Sequence, residues 1–175
     1  MFLRHVKKEV AKLLKSHRLD SDFSIQLAYS GGLDSACLFD ALCKAKQSFN
    51  FELFLTYINY QTSKYSSDVV RHIEGFSSDI VSTIKYVDIS QDNNFESEAR
   101  KLRYSILNKN AIDYNINYTF TAHHYNDQLE TMAMKFIDGS DIISMQGIRK
   151  KSSDIYRPIL EIEKAEIIKY SINNQ

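Results

Sequence analysis

Between Phe2 and Ser16 apolar residues return every three or four positions: Leu3, Val6, Val10, Leu13 and Leu14 make one stripe, and basic residues fill the rest. That spacing predicts an amphipathic helix. Next, Phe23-Ser-Ile-Gln-Leu-Ala-Tyr29 alternates large and small apolar residues and is closed by Ser30-Gly31-Gly32, the pattern of a strand and its turn. Leu33 to Lys46 returns to helical spacing, with Leu38, Phe39 and Leu42 on one side. The run 51–58, FELFLTYI, reads as a second, buried strand. A polar loop over Asn59–Ser67, a helix over Val69–Phe76 and a third strand over Val81–Ile89 follow. Beyond the loop Gln91–Asn94 come a long helix (Glu96–Tyr114), a fourth strand (Tyr118–Ala122) and a helix (Asn126–Ile137) ending in the turn Asp138–Asp141. A short fifth strand (Ile155–Ile159) and a last helix (Glu161–Ile172) complete the reading. Strands separated by helices imply an α/β fold, doubly wound, with a mainly parallel sheet of about five strands and helices on both faces.

Composition narrows the class without changing that picture. A chain of 175 residues suits one domain, 1–175, and 43% hydrophobic residues exclude intrinsic disorder. One proline and five glycines exclude collagen-like and low-complexity chains. No apolar run reaches the roughly 18 residues of a membrane span, and the basic start lacks a signal-peptide pattern, so a soluble, cytoplasmic protein is expected. Cys37 and Cys43 form no CxxC and read as core thiols rather than a disulfide or metal site. The formal net charge is zero, yet residues 1–18 hold six basic residues against Glu9. Those charges suit either the solvated face of the first helix or a contact with nucleic acid.

Ligands of such folds bind at the carboxyl ends of the strands, where strand order reverses. Two segments with unusual chemistry fall there. In Ala28-Tyr-Ser30-Gly31-Gly32-Leu33-Asp34-Ser35, paired glycines let the chain turn sharply, and the following helix adds its positive N-terminus, which makes an anion cradle. Ser30 and Ser35 add hydroxyls. Asp34 would repel a phosphate unless Mg²⁺ lay between them. The plainer alternative is a tight turn capped by Ser35 or Asp34. The loop is neither GxxxxGK[ST] nor GxGxxG. The second segment, Thr121-Ala-His123-His124-Tyr-Asn126-Asp127-Gln-Leu-Glu130-Thr, puts Asp127 and Glu130 three apart on the first turn of a helix, just after His123. The two acids suit an active-site edge or, equally, helix capping. In a third segment, Glu96 to Tyr104, Arg100 and Arg103 share a helical face, as phosphate contacts or as a salt-bridge ladder with Glu96.

The first segment resembles SGGxDS, the loop of the PP-loop (N-type) ATP pyrophosphatases. The second resembles TAHHxDDQxET of the tRNA(Ile)-lysidine synthetases, with Asn126 where that family has its first Asp. Residues 96–104 are similar to the family's EAxARxxRY, and Arg157-Pro-Ile-Leu160 with Glu166-Ile167 and Tyr170 to its RPLL … EI … Y passage. The His-rich VNHGLR run of the family is replaced here by Ile58-Asn-Tyr-Gln-Thr-Ser63. Its DxSN … RNxxR segment and C-terminal tRNA-binding domains are absent from these 175 residues, which resemble the family's N-terminal PP-loop domain, whether as part of a longer protein or as a reduced one.

The resemblance implies an ATP-dependent ligase that joins L-lysine to C2 of the wobble cytidine of tRNA(Ile) with a CAU anticodon. It proceeds through an adenylated tRNA and releases AMP and pyrophosphate. Decoding thereby changes from AUG to AUA, and aminoacylation from methionine to isoleucine. It implies ATP and Mg²⁺ as cofactors, with ATP bound by Ala28, Ser30, Gly31, Gly32, Leu33, Asp34, Ser35 and Arg100. Asp34 would also meet Mg²⁺, and Arg103 would contact tRNA. Catalytic roles fall on Asp34, His123, Asp127 and Glu130: Asp127 as base or anchor for the incoming amine, Glu130 on the ammonium or a metal, His123 on the adenylated intermediate. No membrane is involved, and a homodimer is left open. The alternatives are a PP-loop tRNA thiolase and a non-catalytic nucleotide- or RNA-binding module.

Overall fold

The computed structural model describes residues 1–17, 23–61, 64–76, 80–88, 95–139 and 147–174. Among them twelve elements follow one another: α1 (Phe2–Ser16), β1 (Ser24–Tyr29), α2 (Leu33–Lys46), β2 (Glu52–Asn59), α3 (Ser66–Glu74), β3 (Val81–Tyr86), α4 (Phe95–Asp113), β4 (Tyr118–Phe120), α5 (Tyr125–Ile137), β5 (Lys151–Ser152), β6 (Ile155–Tyr156) and α6 (Lys164–Ile172). The strands form one sheet in the order β3-β2-β1-β4-β6-β5. All neighbours are parallel except β5 and β6, a small antiparallel hairpin. The α/β fold with helices flanking a mainly parallel sheet is therefore the observed one.

Several expected boundaries shift. The sheet has six strands rather than about five, because Lys151–Ser152 pairs with the expected fifth strand, which itself shrinks to Ile155–Tyr156. The segment 157–162 winds into turns that bury Pro158, Ile159 and Leu160, so the last helix starts at Lys164 instead of Glu161. Helix α3 starts at Ser66, three residues before Val69. The loop Gln91–Asn94 and residues 140–141 of the expected turn lie outside the described residues.

Parallel strands are covered on both faces, and the two faces of β1 and β2 are built differently. Ile25, Leu27 and Tyr29 with Leu53, Leu55 and Tyr57 belong to the apolar core shared with Phe2, Val6, Val10, Leu38 and Leu42 of α1 and α2. The stripe of α1 thus faces the core, with Val6, Val10 and Leu13 buried and Leu3 and Leu14 partly so, and Arg4, Lys8, Lys12 and Lys15 are exposed. The opposite face, under α4, holds a buried polar relay. Gln26 Nε2 donates to Leu107 O and Thr119 Oγ1, its Oε1 accepts from Thr56 Oγ1, and Asn110 Nδ2 donates to Thr56 Oγ1. Buried amides persist only when so partnered, and this set fixes the register of α4 over β1, β2 and β4. Glu9, also buried on α1, accepts from the Tyr156 hydroxyl and pairs with Lys150 at 3.1 Å, which anchors the β5–β6 hairpin. No described helix is long and apolar enough to cross a membrane.

Candidate active site

The chain runs from β1 outward to β2 and β3, then returns to place β4 on the other side of β1. Strand order therefore reverses between β1 and β4, and a crevice opens at their carboxyl ends. Its walls are the two segments singled out in the sequence.

On the β1 side, the loop 30–32 turns the chain into α2. Gly31 has φ +79°, a left-handed conformation that glycine adopts readily, and a Cβ there would lie 2.6 Å from Val69 Cγ2 of α3. Gly32 is extended, at φ −81° and ψ 163°, and forms the N-cap of α2 without any side-chain cap. The amide donors opening α2 thus keep no side-chain acceptor. The capping alternative for Asp34 and Ser35 is not realised. Ser35 instead closes the loop from inside, its buried hydroxyl donating to Gly32 O at 2.9 Å and lying 3.0 Å from Ser30 Oγ. Asp34 points its carboxylate toward Lys164, with Oδ1 2.5 Å from Nζ.

On the β4 side, the extended stretch 121–124 sends alternate side chains to opposite sides. His123 faces the crevice and holds Thr121 Oγ1 at 2.8 Å through Nδ1. Burial, with the positive charges of Arg157, Arg100 and Arg103, drives its pKa down to about 4, against a smaller opposing effect of Asp127. His123 is therefore neutral at pH 7. His124 is buried, and its Nε2 lies 3.7 Å from Asp34 and 3.6 Å from Asp127. Asp127 accepts the backbone N–H of His124 at 2.7 Å, so it caps α5 and also faces the crevice.

Ala28, Ser30, Asp34, Ser35, His123, Asp127 and Arg103 come together around a cleft of about 450 Å³, within the range of nucleotide-sized sites. Gly31, Gly32 and Leu33 complete its loop. Tyr57, Ile58 and Tyr60 line it at the end of β2, where the His-rich run of the resembled family would stand. Arg100 and Glu130 lie elsewhere, in an adjoining cleft of about 440 Å³ that shares His123 and Asp127 with the first. Arg103, assigned to tRNA in the sequence, is thus the arginine on the wall of the phosphate-loop cleft, and Arg100, assigned to ATP, is not. The guanidinium of Arg100 lies 5.3 Å from the centre of the Tyr104 ring. Among the described residues neither arginine has an acidic partner, so the ladder with Glu96 is not formed.

The sequence assigned no individual role to His124, Thr121 or Arg157, which stand only within its quoted motifs, and it missed Lys164 altogether. Arg157 is 5% exposed, donates Nη1 to Arg149 O and lines the adjoining cleft. The one signal available for Lys164 was Asp34 itself, an acid in an anion cradle that needs a cation beside it. A divalent ion fits these donors in one way. Among the described residues no three His, Cys, Asp or Glu side chains form a metal cage, whereas Asp34 already holds a cationic group. That suits Mg²⁺, which reaches many nucleotide sites on one or two carboxylates together with phosphates.

Comparison with protein families matches residues 2–175 to the PP-loop domain. Among curated proteins, the chain is 29% identical over 177 residues to the tRNA(Ile)-lysidine synthase of Thermosipho africanus, covering 97% of this chain and 42% of that protein. It is 34% identical to the enzyme of that name from Lactococcus lactis, covering 95% of this chain and 38% of that protein. The chain thus spans about two fifths of the length of these relatives. Among solved structures, the U34-tRNA thiolase NcsA of Methanococcus maripaludis superposes with a TM-score of 0.75 at 20% identity, covering 98% of this chain and 63% of that one. The NH3-dependent NAD synthetase of Campylobacter jejuni gives 0.60 at 19% identity, covering 98% and 71%. Both share the fold.

Proposed function

The chain belongs to the PP-loop domain family, and from that premise we propose that it carries the ATP-cleaving site of a tRNA(Ile)-lysidine synthetase. The carrying observation is that the Ser30–Ser35 loop and the His123–Asp127 edge face each other across the reversal of strand order, around one cleft. ATP lies with its β and γ phosphates on the amides that open α2, which have no side-chain cap, and on the Gly31 turn, while the Ser30 and Gly32 N–H groups donate to Ser35 Oγ and Ser30 Oγ; its base lies toward Tyr57, Ile58 and Tyr60. Arg103, from the opposite wall, balances phosphate charge. Asp34 would hold Mg²⁺ together with the nucleotide, and that ion would supply charge stabilisation to the departing pyrophosphate.

The C2 oxygen of the wobble cytidine is a poor leaving group. It attacks the α-phosphate, and the P–O bond to pyrophosphate breaks. The ε-amine of L-lysine then attacks C2, and AMP leaves with that oxygen. His123, neutral at pH 7 and fixed through Thr121, offers its second ring nitrogen as a hydrogen-bonding group rather than a cation beside the adenylated base. Asp127 stands between the two clefts, where it can receive the lysine ammonium from the Glu130 side and deliver the amine to the nucleotide side. A tRNA with a CAU anticodon is the acceptor.

A thiolase reading finds no support in the thiols. Cys37 is buried, with Sγ donating to Ile167 O, and burial pushes both thiols up, Cys43 to about 11. The test is to incubate the protein with tRNA(Ile), ATP and labelled lysine and to weigh the digested nucleosides. A cytidine heavier by lysine less water is the expected product. A sulfur-bearing nucleoside formed with a sulfur donor, and no lysine adduct, would refute the assignment.

A further inference from the structure

Asp34 is the anomaly of the phosphate loop, and the chain meets it with a cation of its own. Lys164 is the first residue of α6, and its backbone N–H is fixed by Asn126 Oδ1 at 3.1 Å. Its ammonium lies 2.5 Å from Asp34 Oδ1, across 130 residues of sequence. The other carboxylate oxygen faces His124 Nε2 at 3.7 Å. Asp34 lines the nucleotide-sized cleft, whereas Lys164 approaches it from the α6 side. Lys164 is one-third exposed and its stem is flexible, so it can move without disturbing the core.

Two requirements conflict at this carboxylate. Unscreened, it would repel the triphosphate that the uncapped α2 amides attract. Permanently paired, it could not take up the metal that accompanies the triphosphate. An ammonium on a long stem satisfies both, since it neutralises the acid at rest and yields to a divalent ion once phosphate oxygens add to that ion's coordination.

We propose that Lys164 is the resident counter-ion of the phosphate loop: it holds Asp34 while the cleft is empty and cedes that carboxylate to the divalent cation arriving with the nucleotide. Metal binding at Asp34 is thereby made conditional on nucleotide. The inference rests on the ATP reading for its biological sense, but its first test does not use ATP.

Mn²⁺ alone is titrated onto the nucleotide-free protein, and free Mn²⁺ is followed by electron paramagnetic resonance. The wild type should bind poorly, and Lys164→Met should bind at least about tenfold more tightly, because one positive charge beside the carboxylate is gone. Lys164→Arg, which keeps the charge, should behave as the wild type, and Asp34→Asn added to Lys164→Met should abolish the gain. Circular dichroism melts check that each variant folds. Equal Mn²⁺ affinity in the wild type and Lys164→Met, or a gain in Lys164→Arg equal to that in Lys164→Met, would overturn the proposal. A separate titration with a non-hydrolysable ATP analogue tests the ATP reading. Failure of the wild type to bind it would sink that reading and leave the Mn²⁺ result to stand or fall alone.

Discussion

Replacing Gly31 by alanine strikes the phosphate loop through two separable effects, and their size can be set from the geometry. At φ +79° an L-residue is held in the left-handed region, at roughly 1–2 kcal/mol. The new Cβ would also sit 2.6 Å from Val69 Cγ2 and 2.9 Å from Cγ1, an overpacking that costs about 1–3 kcal/mol as α3 or the loop gives way. Gly32 differs on both counts. Its backbone is extended, and a Cβ would meet only Ser30 Oγ at 3.5 Å, so Gly32→Ala should cost less than about 1 kcal/mol. The assay is urea unfolding with a parallel titration of an ATP analogue. Gly31→Ala should lose several kcal/mol, roughly 10 °C in melting temperature, along with most nucleotide affinity. Adding Val69→Ala should return part of the overpacking cost, so that the double variant is more stable than the two single losses imply. Equal effects of Gly31→Ala and Gly32→Ala, or strict additivity with Val69→Ala, would refute this account of the loop.

Two further predictions concern the opposite wall. Since the folded pKa of His123, about 4, lies below the ordinary 6.5, the unfolded chain takes up a proton first as pH falls, so stability drops between those values by at most about 3 kcal/mol. His123→Gln should flatten that part of the pH–stability curve, and an unchanged curve would contradict the neutral assignment. Arg103→Gln should weaken binding of the ATP analogue about tenfold or more, whereas Arg100→Gln should leave it within roughly twofold and weaken tRNA binding with a shallower salt dependence. Reversed effects would favour Arg100 on the nucleotide and Arg103 on the tRNA, the assignment that the resemblance implies.

What the sequence revealed and what it withheld divide along physical lines. Helices α1 and α2 were legible because burial imposes a period on 15 and 14 residues, and strands β1 and β2 because their six and eight residues are buried almost throughout, which leaves a short, mostly apolar run. Strand β5 is two exposed residues, too few to carry any pattern. The stretch 157–162 was divided between an expected strand to Ile159 and an expected helix from Glu161, yet it winds into turns that bury Pro158, Ile159 and Leu160. Residue types marked Ser30–Ser35 as the candidate loop, but not that Gly31 rather than Gly32 takes the left-handed conformation, nor that Val69 of α3 packs against it. Lys164 could not be foreseen as the partner of Asp34, because helix start and carboxylate meet only after the sheet has closed. The placement of Arg100 and Arg103 in adjoining clefts has a similar cause. They share a helical face, but the rotation of α4, set by the Gln26–Asn110 relay, decides which one enters the cleft.

The central claim is that two adjoining clefts divide one reaction, with nucleotide cleavage at the Ser30–Ser35 loop and amine transfer at the edge that holds Asp127. The direct measurement takes Asp127→Asn, which keeps an oxygen able to accept the His124 N–H, and follows two quantities in the same tube. These are tRNA-dependent release of pyrophosphate from ATP and incorporation of labelled lysine into tRNA(Ile). The account predicts pyrophosphate release within a few-fold of wild type and lysine incorporation reduced by roughly a hundredfold or more. Loss of both to the same extent, or of neither, would contradict it.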